Sequence, residues 1–370
     1  MKRNEIWRSY GTDYKEMTKR LLERTGLSDE ILSKCKEALF SAKIGIKPNL
    51  VNPSPAEFGA TTHPEVIAGI LEYLKESGFE NLYILEGSWV GDKTGEAFRY
   101  CGYDTLSEKY NVPLIDTQKD TTLLCDCNGL EIKICNSVLE ADYLINVPVM
   151  KGHGQTKITC ALKNMKGIIP NSEKRHFHAL GLHKPIAHLN SFVKQDFIVV
   201  DHICGDPESE DGGHPLTKNC IMAAKDPVLV DSYVAELLGY HPSEIGYIGL
   251  SESFGVGSGD LSELNLITLE GIPDETIPRT FRVTELSLSV NQVDSCSACY
   301  AMLTEALDRL QEEGLLKDLK EKICIGQGYQ GKTGLLGVGN CTRDFDNSVP
   351  GCPPDSEEIY RFLKNYIETN

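Results

Sequence analysis

Four cysteines near the carboxyl terminus have the spacing of a soft-metal ligand set. Cys296 and Cys299 lie in "DSCSACY", and Cys341 and Cys352 lie in "VGNCTRDFDNSVPGCPP". A C-x-x-C pair brings two thiolates together, and iron–sulfur clusters take four thiolates, often a close pair plus ligands from elsewhere in the chain. Gly351 permits close backbone approach just before the last cysteine, and Pro353 fixes the turn just after it. The pattern predicts one [4Fe–4S] cluster on Cys296, Cys299, Cys341 and Cys352. Zinc also accepts C-x-x-C, but zinc ribbons usually repeat the pair, and this stretch does not. A redox dithiol and plain structural thiols are the remaining readings. Cys324 is a spare thiol that could replace one of the four.

A second set of reactive side chains occupies the middle of the chain. "NVPVMKGHGQTKITCALKNMKGIIPNSEKRHFHALGLHKPIAHLN" carries His153, His176, His178, His183 and His188 together with Lys151, Lys157, Lys163, Lys166, Lys174, Arg175 and Lys184. Histidine there could act as acid, base or metal ligand, and lysine could pair with a carboxylate or phosphate. Several of these residues follow predicted strands: Lys151 and His153 after "YLINVPV", Lys47 and Asn49 in "IKPN", Glu86 and Ser88 in "LEGS", and Asp201 in "FIVVDHI". One sheet edge would then gather a site for an anionic small molecule. Lys47, Lys151 and Lys163 would supply charge recognition, and His153 acid–base work. Asn164 and Asp201 would orient the ligand, with Asn49, Glu86, Ser88, Lys166 and His178 completing the lining. A second metal ion at the His-rich stretch is an open alternative. So is a solvated loop and helix with no ligand at all.

Positioning these residues requires a particular succession of elements. "THPEVIAGILEYLKESGF" has an apolar stripe at Val66, Ile67, Ile70, Leu71 and Leu74, with Thr62 and Glu65 spaced as a capping box, and "LYILEG" follows as a strand. "DPVLVDSYVAELLGY" reads as a helix opened by Asp226 and Pro227 and closed by Gly239. The alternation predicts an α/β fold with a doubly wound, mostly parallel sheet, whose ligands gather at the strands' carboxyl ends. Residues 1–280 form this domain, with 1–40 as a helical extension. Residues 281–370, opening on a predicted strand "TFRVTELSLSV", form a smaller iron–sulfur module.

Composition narrows the function classes. The net charge of −17 disfavours non-specific contact with nucleic acid or anionic membrane. No apolar run is long enough for a transmembrane helix, and the amino terminus lacks a signal-peptide core. A cytoplasmic protein is expected, and the odd count of 13 cysteines argues against a disulfide framework there.

The stretches "KPNLV", "THPEVIAGILEYLKESGFENLYILEGS", "LINVPVMKGHGQTKITCALKNMKGIIP", "VVDHI" and "AAKDPVLVDSYVAELLG" together resemble the prokaryotic family known as domain of unknown function 362. Many of its members carry ferredoxin-like cysteines, so the resemblance implies an iron–sulfur protein from an anaerobic or facultative setting. Here the cysteines are more dispersed than in a ferredoxin run. "GCPP" is similar to the cluster-binding motif in small subunits of hydrogenases and respiratory complex I. The family is also distantly similar to nickel-pincer lactate racemases, in which His and Lys serve an α-hydroxy acid site. The expected function is an oxidoreductase or electron-transfer protein acting on the anionic ligand, with a redox partner protein and self-association left open. The alternatives are a metal-dependent isomerase or lyase of α-hydroxy-acid type and a non-catalytic cluster-bearing binding protein.

Overall fold

The computed structural model describes residues 1–278 and 282–369. The chain divides into two compact units. One comprises 1–88, 92–173 and 183 up to the undescribed stretch. The other comprises the residues after that stretch together with 89–91 and 174–182. The expected boundary at 280/281 falls within 279–281, outside the described residues.

The first unit is built on an eight-stranded sheet. Its strands are β1 (Glu5–Tyr10), β2 (Ile44–Lys47), β3 (Leu82–Glu86), β4 (Leu114–Asp116), β7 (Tyr143–Asn146), β10 (Phe197–Gly205), β11 (Leu216–Ala224) and β12 (Asn265–Glu270), in the order β12-β1-β11-β10-β7-β2-β3-β4. The hairpins β5 (Thr122–Cys127) with β6 (Leu130–Cys135), and β8 (Lys151–His153) with β9 (Lys157–Thr159), stand apart from it. The sheet is mostly parallel, as expected, and β11 alone runs against its neighbours β1 and β10. β2 and β7 are buried along their whole length, which is why they read as continuous apolar runs.

The amino terminus differs from the helical extension expected. Residues 5–10 form β1, inserted between β11 and β12, and helices begin only at Tyr14–Thr25 and Leu27–Lys34. "EIWRSY" is short, aromatic and β-branched at its start, which suits a pleated surface; the Leu-rich residues after it carry the helical stripe. The helix Pro64–Glu76 forms as expected, but its N-cap is His63, whose side chain makes no capping bond. Thr62 Oγ1 is engaged elsewhere: it accepts from the Asn49 amide at 2.8 Å and donates to Val147 O at 2.8 Å. The intended cap thus ties the ends of β2 and β7 together. Asp226 caps the helix Pro227–Leu237 through the amides of Val228 and Leu229.

The second unit has its own sheet of four parallel strands, β13 (Val290–Gln292), β14 (Ile323–Ile325), β15 (Leu336–Val338) and β16 (Asn347–Val349), paired in sequence order. Helices Ser297–Glu312 and Ser356–Thr369 pack Leu303, Leu307, Leu310, Ile359 and Leu363 with Ile323, Ile325, Leu336 and Val338 into a separate core. Residues 282–287, expected to be strand, form a helical turn instead. Val283 and Leu286 are buried, three positions apart as on one helix face. Among the described residues no helix is long and apolar enough to cross a membrane.

Candidate functional site

The carboxyl ends of β10, β7, β2 and β3 lie side by side in the first unit, and the polar side chains expected there converge in two connected networks. In one, Lys47 at the end of β2 meets Glu86 at the end of β3. Its Nζ donates to both carboxylate oxygens at 3.0 and 2.9 Å and to Pro48 O at 2.9 Å, with Asn164 Oδ1 at 3.4 Å. Both residues are buried. Glu86 also accepts from the amides of Leu50 and Gly87. Burial pulls the Lys47 ammonium below its usual range, opposed by the Glu86 charge. The segment 161–168 lies across these strand ends. Asn164 Nδ2 donates to Asn146 Oδ1 at 2.7 Å, and Gly167 O accepts from Thr117 Oγ1 at 2.7 Å. A Cβ at Gly167 would collide with Glu86 Oε1 and stand 2.7 Å from Lys47 Nζ, so only glycine lets the segment descend onto the ion pair. This network is internally neutralised and reads as a support.

The second network centres on Lys151, buried in β8. Its Nζ donates to Ala60 O, to Glu210 O at 2.7 Å and to Asn49 Oδ1 at 3.4 Å. These three acceptors match the three donors of an ammonium. Burial lowers its pKa to about 8 despite the nearby Glu210, Asp211, Glu86 and Asp206. His153 Nδ1 accepts from the amides of Gln155 and Thr156 at 2.9 and 3.2 Å. That assigns the proton of the neutral ring to Nε2, which faces Glu210 Oε1 at 3.4 Å. Lys163, half-buried, donates to Thr159 Oγ1 at 3.2 Å. Burial lowers its pKa, Glu210 pushes it back up and Lys151 lowers it further. Glu210 shows the converse shift: burial and Asp211 raise it, and Lys163 opposes them. Carboxyl and amine are both biased toward their neutral forms by the same desolvation.

Glu210 did not figure among the residues singled out from sequence. It sits in "DPESED" after β10, so the strand-end rule that selects Lys151 would have selected this loop as well. The loop presses on β8 so closely that a Cβ on Gly152 would collide with Pro207 O and lie 2.5 Å from Glu208 N.

The other expected residues are placed differently. Asp201 accepts from the His63 amide at 2.7 Å, from His63 Nδ1 at 2.8 Å and from the Ile203 amide at 3.0 Å. Burial works against the His63 imidazolium, but Asp201 outweighs it and Cys204 adds to it, lifting the pKa to about 10. Ser88 Oγ donates to Leu50 O, and Lys166 is half-buried in the turn Met165–Ile168. His178 belongs to the second unit, where its Nε2 lies 3.4 Å from both the amide and the hydroxyl of Ser297. The other histidines of that stretch are engaged singly: His183 stacks on Tyr247, His188 Nδ1 bonds Cys127 O, and His176 is exposed.

In the second unit the cysteines come from the carboxyl ends of three parallel strands. Cys296 follows β13 and opens the helix carrying Cys299; Cys341 follows β15; Cys352 follows β16. Burial raises the Cys299 thiol well above its usual range, and Cys296, Cys352 and Cys341, in that order, push it further, while Arg175 opposes them. The loop after β14 supplies amides instead of a thiol: Gln327 Nε2 lies 3.8 Å from Cys296 Sγ, and Gln330 Nε2 lies 3.5 Å from Cys341 Sγ. Cys324 is within β14, paired between Asn291 and Gly337, and interacts with Tyr329. Among the described residues no three of the sulfurs lie within 4.8 Å of one another.

Comparison with known proteins adds a family. A thylakoid-associated protein of Synechocystis is 21% identical over 58% of this chain and 68% of its own length. Two solved structures are similar over part of their length. The lactate racemase apoprotein of Thermoanaerobacterium thermosaccharolyticum has 17% identity, covers 59% of this chain and has a TM-score of 0.37. A Thermotoga maritima protein has 16% identity, covers 66% of this chain and has a TM-score of 0.38. The chain spans 53% and 60% of those two structures. Residues 44–236, just over half of the chain and containing most of the strand-end networks, match the family described as Domain of unknown function (DUF362), and the chain belongs to that family.

Proposed function

We propose that this is an iron–sulfur protein whose second unit holds one [4Fe–4S] cluster on Cys296, Cys299, Cys341 and Cys352. In this reading the first unit binds a small anionic molecule at Lys163, beside His153 and Glu210. The observation that carries the reading is the approach of three cysteines, Cys296, Cys341 and Cys352, each following a different parallel strand, to the half-buried Cys299. The donor set fits the group: four soft thiolates, with amide donors from Gln327 and Gln330 at two of them. When bound, such a cluster supplies one-electron chemistry.

The chain's own residues would then divide the work. Thiol deprotonation at Cys299 would be disfavoured until a metal took the proton's place, because burial first, and the three neighbouring sulfurs after it, raise its pKa. Lys163 contributes positive charge, and Lys151 is committed to holding the loop that carries Glu210. Anaerobic purification followed by iron and acid-labile sulfide analysis, with electron paramagnetic resonance of the reduced protein, tests the cluster. A colourless protein containing zinc and no sulfide refutes it. A second reading, acid–base catalysis without electron transfer, is favoured by the opposed shifts of Lys163 and Glu210. It predicts that Cys341→Ser, stripped of iron, still turns over the first unit's ligand.

A further inference from the structure

Glu210 is buried, with 4% of its surface exposed, and its two carboxylate oxygens are treated unequally. Oε2 accepts from the Gly154 amide at 3.1 Å. Among the described residues Oε1 has no hydrogen-bond partner, although His153 Nε2 stands 3.4 Å away. A buried carboxylate oxygen left in this way is costly. The surroundings do not remove that cost. The backbone carbonyl of Glu210 takes Lys151, Asp211 follows directly and adds negative charge, and Lys163 spends a donor on Thr159. Asp206 and Glu86 act on Lys151 from the neighbouring elements.

We propose that Glu210 is the proton-carrying residue of the first unit's ligand site. It takes up a proton when an anionic ligand is seated on Lys163, and it presents the resulting O–H from Oε1 to an acceptor oxygen of that ligand. This rests on the anion-site reading above and gives it a substrate class: small carboxylates with a second oxygen function beside the carboxylate, one oxygen for Lys163 and one for Glu210. The proton comes from solvent, and no other bond changes. Without protonation, the ligand's charge would meet the Glu210 carboxylate at close range in a desolvated setting, where like charges repel strongly.

Oxalate is the smallest probe with that oxygen pattern. Infrared difference spectra of the full chain, recorded on adding ¹³C-labelled oxalate, should show a protonated-carboxyl C=O band. That band shifts in D₂O and is missing in Glu210→Gln. Calorimetry in buffers of different ionisation enthalpy should show uptake of about one proton per site in the native chain. Lys163 can also take up a proton, but an ammonium gives no carboxyl band, so the infrared arm separates the two. Glu210→Gln mimics the protonated side chain and should bind oxalate at least as tightly at alkaline pH. Binding by the native chain with no new carboxyl band, or a band that persists in Glu210→Gln, overturns the proposal. This holds for the native chain alone if the variant does not fold. Oxalate binding that is absent, or identical in Lys163→Met, overturns the anion-site reading itself and this inference with it.

Discussion

The Lys47–Glu86 pair is a support beneath the site, and that assignment makes a sharp prediction for Lys47→Met. Lys47 is fully buried and donates to both Glu86 oxygens, to Pro48 O and towards Asn164. Methionine fills a similar volume but leaves Glu86 as a buried charge held only by the amides of Leu50 and Gly87. Removing one partner of a buried pair costs roughly 3–5 kcal/mol. With every 1.4 kcal/mol a factor of ten, amides at the ends of β2 and β3 should exchange hydrogen about a hundred to several thousand times faster. Hydrogen-exchange mass spectrometry on peptides spanning 44–50 and 82–88 reads this directly, without assuming that two units unfold as one. The double variant Lys47→Met/Glu86→Leu removes both charges and should recover most of the protection, since apolar replacement of a whole pair is often near neutral. An acceleration below tenfold in the single variant, or a double variant no better protected than the single, would refute the reasoning. Lys47 would then be a ligand-facing lysine.

Three further expectations follow from the same geometry. Gly167→Ala drives a methyl into Glu86 Oε1 and against Lys47 Nζ; overpacking of this kind costs about 1–3 kcal/mol, measurable as a lowered thermal midpoint of the first unit. For His63, the folded pKa of about 10 lies above the 6.5 of an ordinary imidazole. Its stabilising contribution is therefore complete below 6.5 and is lost as pH rises towards 10. In urea titrations against pH, the stability gap between native protein and His63→Gln should shrink across that window, and a constant gap counts against the imidazolium. In the cysteine centre, Cys324→Ser should leave iron and sulfide content unchanged, whereas Cys341→Ser should lower both; equal losses in the two would undo the ligand assignment.

Much of the first unit was legible because local signals and burial agree there. "IKPN" and "YLINVPV" marked the ends of β2 and β7, and Asp226 with Pro227 marked a helix start that the structure keeps. The misreadings arise where tertiary partners outbid a local motif. Thr62 has the spacing of a capping residue, but Asn49 and Val147 claim its hydroxyl. "EIWRSY" is too short to show a period of its own, and only its pairing with β11 and β12 makes it a strand. His178 lies in the same basic stretch as His153, yet residues 174–182 group with the other unit, and nothing in a linear sequence marks such an exchange. Glu210 lies in an acidic loop of the kind usually solvated, and nothing in the sequence marks its burial.

The two units reach a similar arrangement with different chemistry. A parallel strand delivers every side chain just beyond its carboxyl end to the same edge. Strands of one sheet therefore deliver residues far apart in sequence to one edge: Lys47 and Glu86 in one unit, and Cys296, Cys341 and Cys352 in the other. What each edge can do is then set by what partners the delivered groups already have. At β2 and β3 the charges cancel, leaving no donor to offer a ligand. At β8 and the loop after β10 they do not, because Lys151 is spent on two carbonyls and Asn49, and Glu210 Oε1 makes no hydrogen bond among the described residues although His153 Nε2 stands 3.4 Å away. A buried polar group left incompletely satisfied calls for an explanation, and in the proposal above a ligand supplies it at Glu210, beside Lys163 and His153, while Lys47, Glu86 and Lys151 are engaged with protein partners.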